Sequence, residues 1–300
     1  VPTPTTTDPT PLPTLTVQQL AYLVAAADST SFSEAAASLG VTTSALSQGL
    51  AELERRLGIG LFERAGRRQV LRDEAGEVLT YARRVVADTR DLGRWIAATT
   101  AGRTGRLRVG MIDAAAIDHF PDQIRAFRRA APEVELRLVV APSGALLEQL
   151  ARGDLDLAVV VEPSLVSPAI DTEVLLTEPI VVVPPEGIEV RAASSWGPWV
   201  LFPTGSQTRS LIERELRARG ATVDVVAESH QPDVLREMAR LGMGWTVLPE
   251  VQAARSAAGV RVDDPVPLTT RRLVLARRRG RTAHPAADRL ADLLRARPTS

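Results

Sequence analysis

Residues 31–64 read SFSEAAASLGVTTSALSQGLAELERRLGIGLFER, and the fold class turns on how this stretch is punctuated. Ser31, followed three residues later by Glu34, is a capping-box pattern: the hydroxyl accepts from an orphan backbone amide while the carboxylate reaches back to the cap. The spacing predicts a short Ala-rich helix over 32–39, stopped by Gly40, since glycine takes the left-handed backbone that ends many helices. Thr42 or Thr43 then caps a longer helix that runs to Leu57 and stops at Gly58. Within it Leu46, Leu50, Leu53 and Leu57 step by four, three and four, which places them on one buried stripe. Thr43, Ser44, Ser47 and Gln48 fall on the opposite face near the N-terminus. Small side chains at Ala36 and Ala37 let the two helices approach closely across Gly40, Val41 and Thr42. The result is helix-turn-helix geometry.

On the N-terminal side, Val17, Leu20, Leu23 and Val24 recur at helical spacing. Residues 1–14 (VPTPTTTDPTPLPT) carry almost no apolar side chains, cannot offset the entropy of ordering, and read as a disordered tail. They lack the charged start and apolar run of a secretion signal, so export is not expected. On the C-terminal side, residues 61–72 (LFERAGRRQVLR) place a turn at Gly66 among Arg64, Arg67, Arg68 and Arg72. A short basic hairpin beside a helix-turn-helix reads as a wing. Domain 15–72 is therefore expected to be a winged helix-turn-helix.

Residues 73–101 read as one long helix, with Asp73 at the N-cap and Glu74 and Glu77 near its positive end. Val78, Ala82, Val85, Thr89, Leu92 and Ile96 alternate spacings of four and three, a heptad seam weakened at Ala82 and Thr89. At about 1.5 Å per residue such a helix is roughly 40 Å long. The seam is read as a dimerisation element, and Gly102 and Gly105 as a hinge, so that 73–104 forms a linker.

From 106 onward strands and helices alternate. Strands are expected at Arg106–Ile112, 134–140, 155–161, 179–183, 199–202, 223–227, 244–248 and 270–277. Helices are expected at 118–131, 144–152, 206–219, 231–241, 249–257 and 285–296. Alternation of this kind argues for parallel α/β sheets. Breaks near 163 and 265 suggest two lobes with a cleft between them, lobe I from 105–162 and 266–300, lobe II from 163–265.

Length and composition bound the functional class. At 300 residues the chain suits about two domains, and 45% hydrophobic with 24% charged residues is ordinary globular make-up. No apolar run approaches the roughly 20 residues of a membrane span. There is no cysteine, which excludes disulfides, thiolate metal sites and cysteine nucleophiles. His119, His230 and His284 lie too far apart in sequence for a local metal motif, and neither catalytic residues nor a cofactor signature stand out. A Gly-rich phosphate loop and a Gly-x-Ser-x-Gly elbow are absent, which argues against an α/β enzyme. Net charge is zero, so contact with nucleic acid must come from local charge. The cluster Arg271, Arg272, Arg277, Arg278, Arg279 and Arg281 is read as a solvated strand end.

The stretch from Phe32 to Arg64 resembles the winged helix-turn-helix of LysR-type transcriptional regulators, through Phe32, Ala35, Ala36, Leu39, Ser44, Ala45, Ser47, Leu53, Glu54, Leu57, Gly58, Leu61, Phe62 and Arg64. Residues 150–157, 204–209 and 241–249 are similar to stretches of that family's effector domain. Two departures stand out. Gly49 replaces a longer side chain inside the recognition helix, and Ala114 stands where relatives often carry serine. The resemblance implies an N-terminal winged helix-turn-helix, a long linker helix and a C-terminal two-lobed domain like a type 2 periplasmic binding protein. It implies a cytoplasmic regulator that binds double-stranded promoter DNA as a homodimer or homotetramer, with RNA polymerase as a further partner and no membrane association.

In that frame Thr42, Thr43, Ser44, Ser47 and Gln48 address the major groove, and Gln48 suits a bidentate contact to adenine. Arg64, Arg67 and Arg68 suit phosphates and a narrow minor groove. A small-molecule effector is expected in the cleft, against Asp113, Ala114, Ser143, Phe202, Pro203, Thr204, Ser206 and Thr246. Helix N-termini at 143 and 206 favour a carboxylate, whereas Asp113 opposes an anion and favours a cationic or hydroxyl group. Arg209 is expected to be solvated. The alternative is a ligand-independent regulator of the same type with an orphan effector domain.

Overall fold

The computed structural model describes residues 13–65, 68–100, 105–165, 167–188, 192–254, 266–280 and 284–296. Contacts divide the chain into two units, Val1–Arg90 and Asp91–Ser300. Most of the expected N-terminal tail lies outside the described residues.

The first unit begins with α1 (Val17–Asp28), α2 (Phe32–Ser38) and α3 (Thr43–Leu57). Thr16 and Gln19 form a reciprocal capping box at α1. At α2 the expected box is only half made. Ser31 Oγ accepts from the Glu34 amide, but the Glu34 carboxylate turns to the amide and hydroxyl of Thr30. Thr42 caps α3 by accepting from the Ala45 amide, and Gly58 closes it with φ +72°. Strands β1 (Phe62–Ala65) and β2 (Arg68–Leu71) pair antiparallel, Phe62 opposite Leu71 and Ala65 opposite Arg68. They form the wing. Asp73 does not cap the long helix: it opens a single 3₁₀ turn, Asp73–Ala75, preceded by Arg72, and α4 (Gly76–Thr100) follows.

The core of this unit joins Leu20, Leu23 and Val24 of α1, Ala35 and Ala36 of α2, Leu46, Leu50 and Leu53 of α3, Leu61, and Leu79, Ala82 and Val86 of α4. Gly49 has a packing reason. A Cβ built there would stand 2.5 Å from Cδ2 of Tyr22, whose ring is buried and whose hydroxyl accepts from Gln18 Nε2. Gly49 thus faces α1, not the exterior groove-reading face. Helix propensity alone favours alanine by about 1 kcal/mol, but forcing a methyl against a fixed ring costs about 1–3 kcal/mol. Gly49→Ala is expected to lower the denaturant midpoint of the first unit, and adding Tyr22→Leu to restore it. A stabilised single variant would show that the ring yields freely.

The second unit comprises, in chain order, β3 (Arg106–Met111), α5 (Pro121–Ala130), β4 (Glu135–Val140), α6 (Ser143–Ala151), β5 (Leu157–Val161), β6 (Ile170–Val183), β7 (Trp199–Leu201), α7 (Gln207–Ala218), β8 (Val225–Glu228), α8 (Pro232–Arg240), β9 (Thr246–Pro249), α9 (Glu250–Ala253), β10 (Val266–Arg278) and α10 (Pro285–Arg295). The six-stranded sheet runs β4-β3-β5-β10-β6-β9, and β7-β8 form a separate pair. The expectation of parallel sheets holds in part. β3 pairs parallel with β4 and β5, and β7 with β8, whereas β10 runs antiparallel to β5 and β6, and β6 antiparallel to β9. The helix expected from 118 is preceded by a π-turn, Ala115–His119, and starts only at Pro121, whose fixed φ suits a first helical turn.

Two apolar cores correspond to two lobes. One gathers Leu107, Val109, Phe120, Phe127, Leu146, Leu157, Leu273 and Leu290. The other gathers Ile180, Val182, Trp199, Ile212, Leu235, Trp245, Val247 and Leu268. Ile170, Leu175 and Leu176 belong with the first core and Ile180 with the second. The chain therefore crosses between lobes inside β6, between Leu176 and Ile180, and not at the break near 163 read from the sequence. It returns inside β10, between Leu268 and Leu273.

Candidate nucleic-acid interface and effector cleft

α3 is two-faced. Leu46, Leu50 and Leu53 are buried, while Thr42, Thr43, Ser44, Ser47 and Gln48 are all exposed on its opening turns. Thr42 is occupied by capping. The side chains of Thr43, Ser44, Ser47 and Gln48 make no hydrogen bond to the described residues, so their donors and acceptors are left to water or an outside partner. Toward the other end, Arg55 and Arg56 both close on Glu52, whose carboxyl they hold below its ordinary range, chiefly through hydrogen bonds.

The wing is fastened to this helix by Glu54, whose Oε1 accepts from the amides of Leu61 at 2.7 Å and Phe62 at 3.3 Å. The Phe62 ring meets Phe32 edge-on, centroids 5.4 Å apart. The backbones of Arg64 and Arg68 lie in β1 and β2; Arg67 and the side chains of Arg64 and Arg68 lie outside the described residues. Arg72 faces Glu63 at 3.6 Å and so does not add a free positive charge.

Along α4 the expected seam is placed unevenly. Ala82 is buried in the unit's own core, with Val78 and Val85 packed against it. Thr89 is exposed and its hydroxyl donates back to the Val85 carbonyl. Leu92, Trp95 and Ile96 keep about half their surface open, 49%, 53% and 50%. Their spacing of three and then one sets them on a single stripe.

In the second unit a cavity of about 490 Å³ opens between the lobes, within the size range of small-molecule sites. Asp113, Ser143, Phe202, Thr204 and Ser206, all expected from the sequence, line it. Ala114 does not: it is fully buried in the first core. Pro203 is not among the lining residues either; its carbonyl accepts from the Ser206 amide in the turn before α7. Thr246 sits inside β9, fully buried opposite Val183.

The floor and walls add Ile112, Val140, Val161, Gln207, Thr208, His230 and Arg271, none of which the sequence reading placed there. Ser143 Oγ accepts from the Val161 amide at 3.1 Å, tying α6 to β5. Asp113 Oδ1 accepts from the Ala114 amide at 2.8 Å, and Gln252 Nε2 lies 3.5 Å from Asp113 Oδ2, reaching across from the other lobe.

The reading of the cluster as a solvated strand end holds for the exposed Arg272 and Arg279 but fails for Arg271 and Arg278, which are buried. Arg271 is 5% exposed; its Nε donates to Glu178 Oε1 at 2.6 Å and its Nη1 to Thr208 Oγ1 at 3.0 Å. Glu178 Oε2 stands 2.7 Å from His119 Nε2. Burial pushes the Glu178 carboxyl up, but the His119 hydrogen bond and the Arg271 charge outweigh it and hold the group below the usual carboxylate range. The other arginines of the cluster also find acids: Arg272 with Glu162, Arg277 with Asp288, Arg278 with Asp91 and Arg279 with Asp171. Arg281 lies outside the described residues.

Arg209 is likewise not solvated. It is 6% exposed and donates to the Phe202 carbonyl at 2.7 Å and to Glu213 and Glu228, which fixes the wall carrying Phe202. Among the described residues no group of three His, Cys, Asp or Glu side chains is placed to hold a metal ion, and no helix is long and apolar enough to cross a membrane.

Solved structures share this architecture across nearly the whole chain. A full-length OxyR variant from Pseudomonas aeruginosa matches with a TM-score of 0.63 at 24% identity, covering 94% of this chain and 95% of its own. CbnR, a LysR family transcriptional regulator, matches with a TM-score of 0.59 at 18% identity, covering 94% and 98%. A helix-turn-helix with an open polar face, joined in one chain to a two-lobed domain around a ligand-sized cleft, defines a DNA-binding regulator with an effector domain. The family model for the bacterial regulatory helix-turn-helix protein, lysR family, matches residues 17–77, and that for the LysR substrate binding domain matches residues 100–299.

The chain belongs to the LysR family of transcriptional regulators. Its curated relatives include the HTH-type transcriptional regulator YfeR of Shigella flexneri, 27% identical over 93% of both chains. A probable hydrogen peroxide-inducible genes activator of Streptomyces viridosporus is 30% identical over 92% of both. These relatives are regulators, not enzymes.

Proposed function

We propose that this regulator binds promoter DNA as a homodimer or homotetramer, with the N-terminal turns of α3 in the major groove and the wing arginines on the flanking backbone. The observation that carries the reading is the exposed, internally unbonded set Thr43, Ser44, Ser47 and Gln48, on a helix whose other face is core. Their hydroxyls and amide suit phosphate oxygens and base edges, and one bidentate pair is worth about 1–3 kcal/mol of discrimination.

Pairing through the open stripe of α4 brings two such readers onto one duplex. The cleft of the second unit takes a small-molecule effector, and lobe closure alters how protomers pair, and so how promoter DNA is presented to RNA polymerase in the cytoplasm. Because the sequence contains no cysteine, thiol oxidation is not the signal read.

Footprinting of genomic fragments with the full chain tests this. A few preferred fragments are expected. Their affinity should fall by a factor of about ten or more between 50 and 200 mM salt, since each neutralised phosphate contributes a slope of about −0.9. Gln48→Ala should flatten the preference between fragments, while Arg64→Ala should weaken all of them alike. Binding with no fragment preference at low salt would refute the reading. A ligand-independent regulator would give the same footprints with no metabolite changing them.

A further inference from the structure

We infer that the occupant of the cleft is a small zwitterion, a molecule carrying one carboxylate and one ammonium group on a short apolar frame. The inference rests on the reading of the cleft as the effector site and assigns its ligand class.

The cleft lining carries two chemically opposite kinds of group. One kind is a set of donors. α6 starts at Pro142, which offers no side-chain cap, so the amides of Ser143, Gly144 and Ala145 open on the cavity without a capping side chain. The first turn of α7 faces the same space from the other lobe. Three unsatisfied amides at this helix start, with the helix dipole behind them, favour an anion. Arg271 adds a buried cation to the lining. Its Nε and Nη1 are committed to Glu178 and Thr208, while Nη2 makes no hydrogen bond to the described residues. A carboxylate is the group that takes donors of this kind in number.

The second kind of group is a negative acceptor. Asp113 lines the cavity, and Gln252, 2% exposed, extends its Nε2 toward that carboxylate from the opposite lobe. Gln252 Oε1 is buried with no hydrogen-bond donor. An acceptor buried without a donor costs about 1–3 kcal/mol, and the alternative amide orientation would set its oxygen against the Asp113 carboxylate. The Asp113 carboxylate in the lining is satisfied by a group that brings several N–H donors and a positive charge, as an ammonium does. A dicarboxylate would set like charge against Asp113. A simple amine would leave the α6 amides and Arg271 unused. Ile112, Val140 and Phe202 add apolar wall for the frame.

The test uses the full chain and a matched set of probes: the twenty proteinogenic amino acids, their deaminated carboxylates, their decarboxylated amines, and straight-chain dicarboxylates. Melting temperature is followed against concentration, since a ligand that binds only the native state raises it. At least one amino acid is expected to raise the midpoint, with its deaminated and decarboxylated partners at least tenfold weaker. Asp113→Asn, which keeps the contact to the Ala114 amide, is expected to melt like the parent without ligand and to bind that amino acid at least tenfold more weakly.

The inference is overturned if a deaminated carboxylate or a dicarboxylate binds as well as or better than any amino acid, if Asp113→Asn leaves amino-acid affinity unchanged, or if no amino acid shifts the midpoint. Fragment preference in the footprinting assay, measured on the same preparation, separates the two failures: if it survives, only the ligand assignment falls.

Discussion

Replacing Arg271 with leucine is expected to destabilise the second unit by about 3–5 kcal/mol at pH 7, the usual cost of stranding one member of a buried ion pair. Arg271 and Glu178 are each 5% exposed or less, and their Nε–Oε1 contact is 2.6 Å. Removing the guanidinium leaves the Glu178 carboxylate in a dry site with His119 as its remaining partner. Thr208, at the start of α7, loses its donor in the same step.

The pH dependence has a definite sign. Glu178 titrates below its ordinary value of 4.5 in the folded protein. Its contribution is therefore complete above the unfolded-chain value and is lost as pH falls through the lowered folded value. The gap between parent and Arg271→Leu should be widest at neutral pH and narrow below about pH 4.5. Leucine at both positions should recover most of the loss, because two apolar groups leave no charge stranded. Urea melts of the three proteins at pH 7 and pH 4 measure all of this. A cost under about 1 kcal/mol for the single variant would mean the pair is solvated.

The second large effect is expected on α4. Trp95→Glu combined with Ile96→Glu puts two carboxylates on the stripe where Leu92, Trp95 and Ile96 stand half open. Both positions are about half exposed in the single chain, so helix content is expected to persist by circular dichroism. Pairing should not persist, and the variant should sediment as a monomer. Operator affinity should drop by about 10²–10⁴-fold, the range by which linking two binding modules exceeds one alone. A variant that remains dimeric and binds normally would place the pairing surface elsewhere.

What could be read from the sequence follows physical range. The α3 stripe, the Thr42 cap and the Gly58 stop are settled by residues within one or two turns, and all three appear as expected. Glu54 and Phe62 stand out as motif positions, but their work, bracing the wing through two amides and an edge-on ring, is set by contacts beyond one helical turn.

The misplacements are long-range. Residues 170–178 lack clean alternation and carry Glu173 and Glu178, so they did not read as strand; their acids are held by Arg295 and Arg271 from far along the chain. Arg209 and Arg271 looked solvated because nothing local announces a partner; Glu178 precedes Arg271 by 93 positions. Five of the eight expected cleft residues line the cavity because strand ends before helix starts are where such sites form. Ala114 misses it by one position, since Asp113 beside it lines the cavity, whereas Thr246 lies in β9 and its neighbours Trp245 and Val247 both belong to the second core.

The paired strands β6 and β10 keep their ladder unbroken in kind from Ile170–Arg278 at one end to Val182–Val266 at the other, with register shifts only between Pro267 and Thr269 and between Leu273 and Val274. Both cores hang on this one ribbon. Two hydrogen-bonded strands resist free swinging more than a loose loop would, so a captured ligand is expected to act by twisting this ribbon.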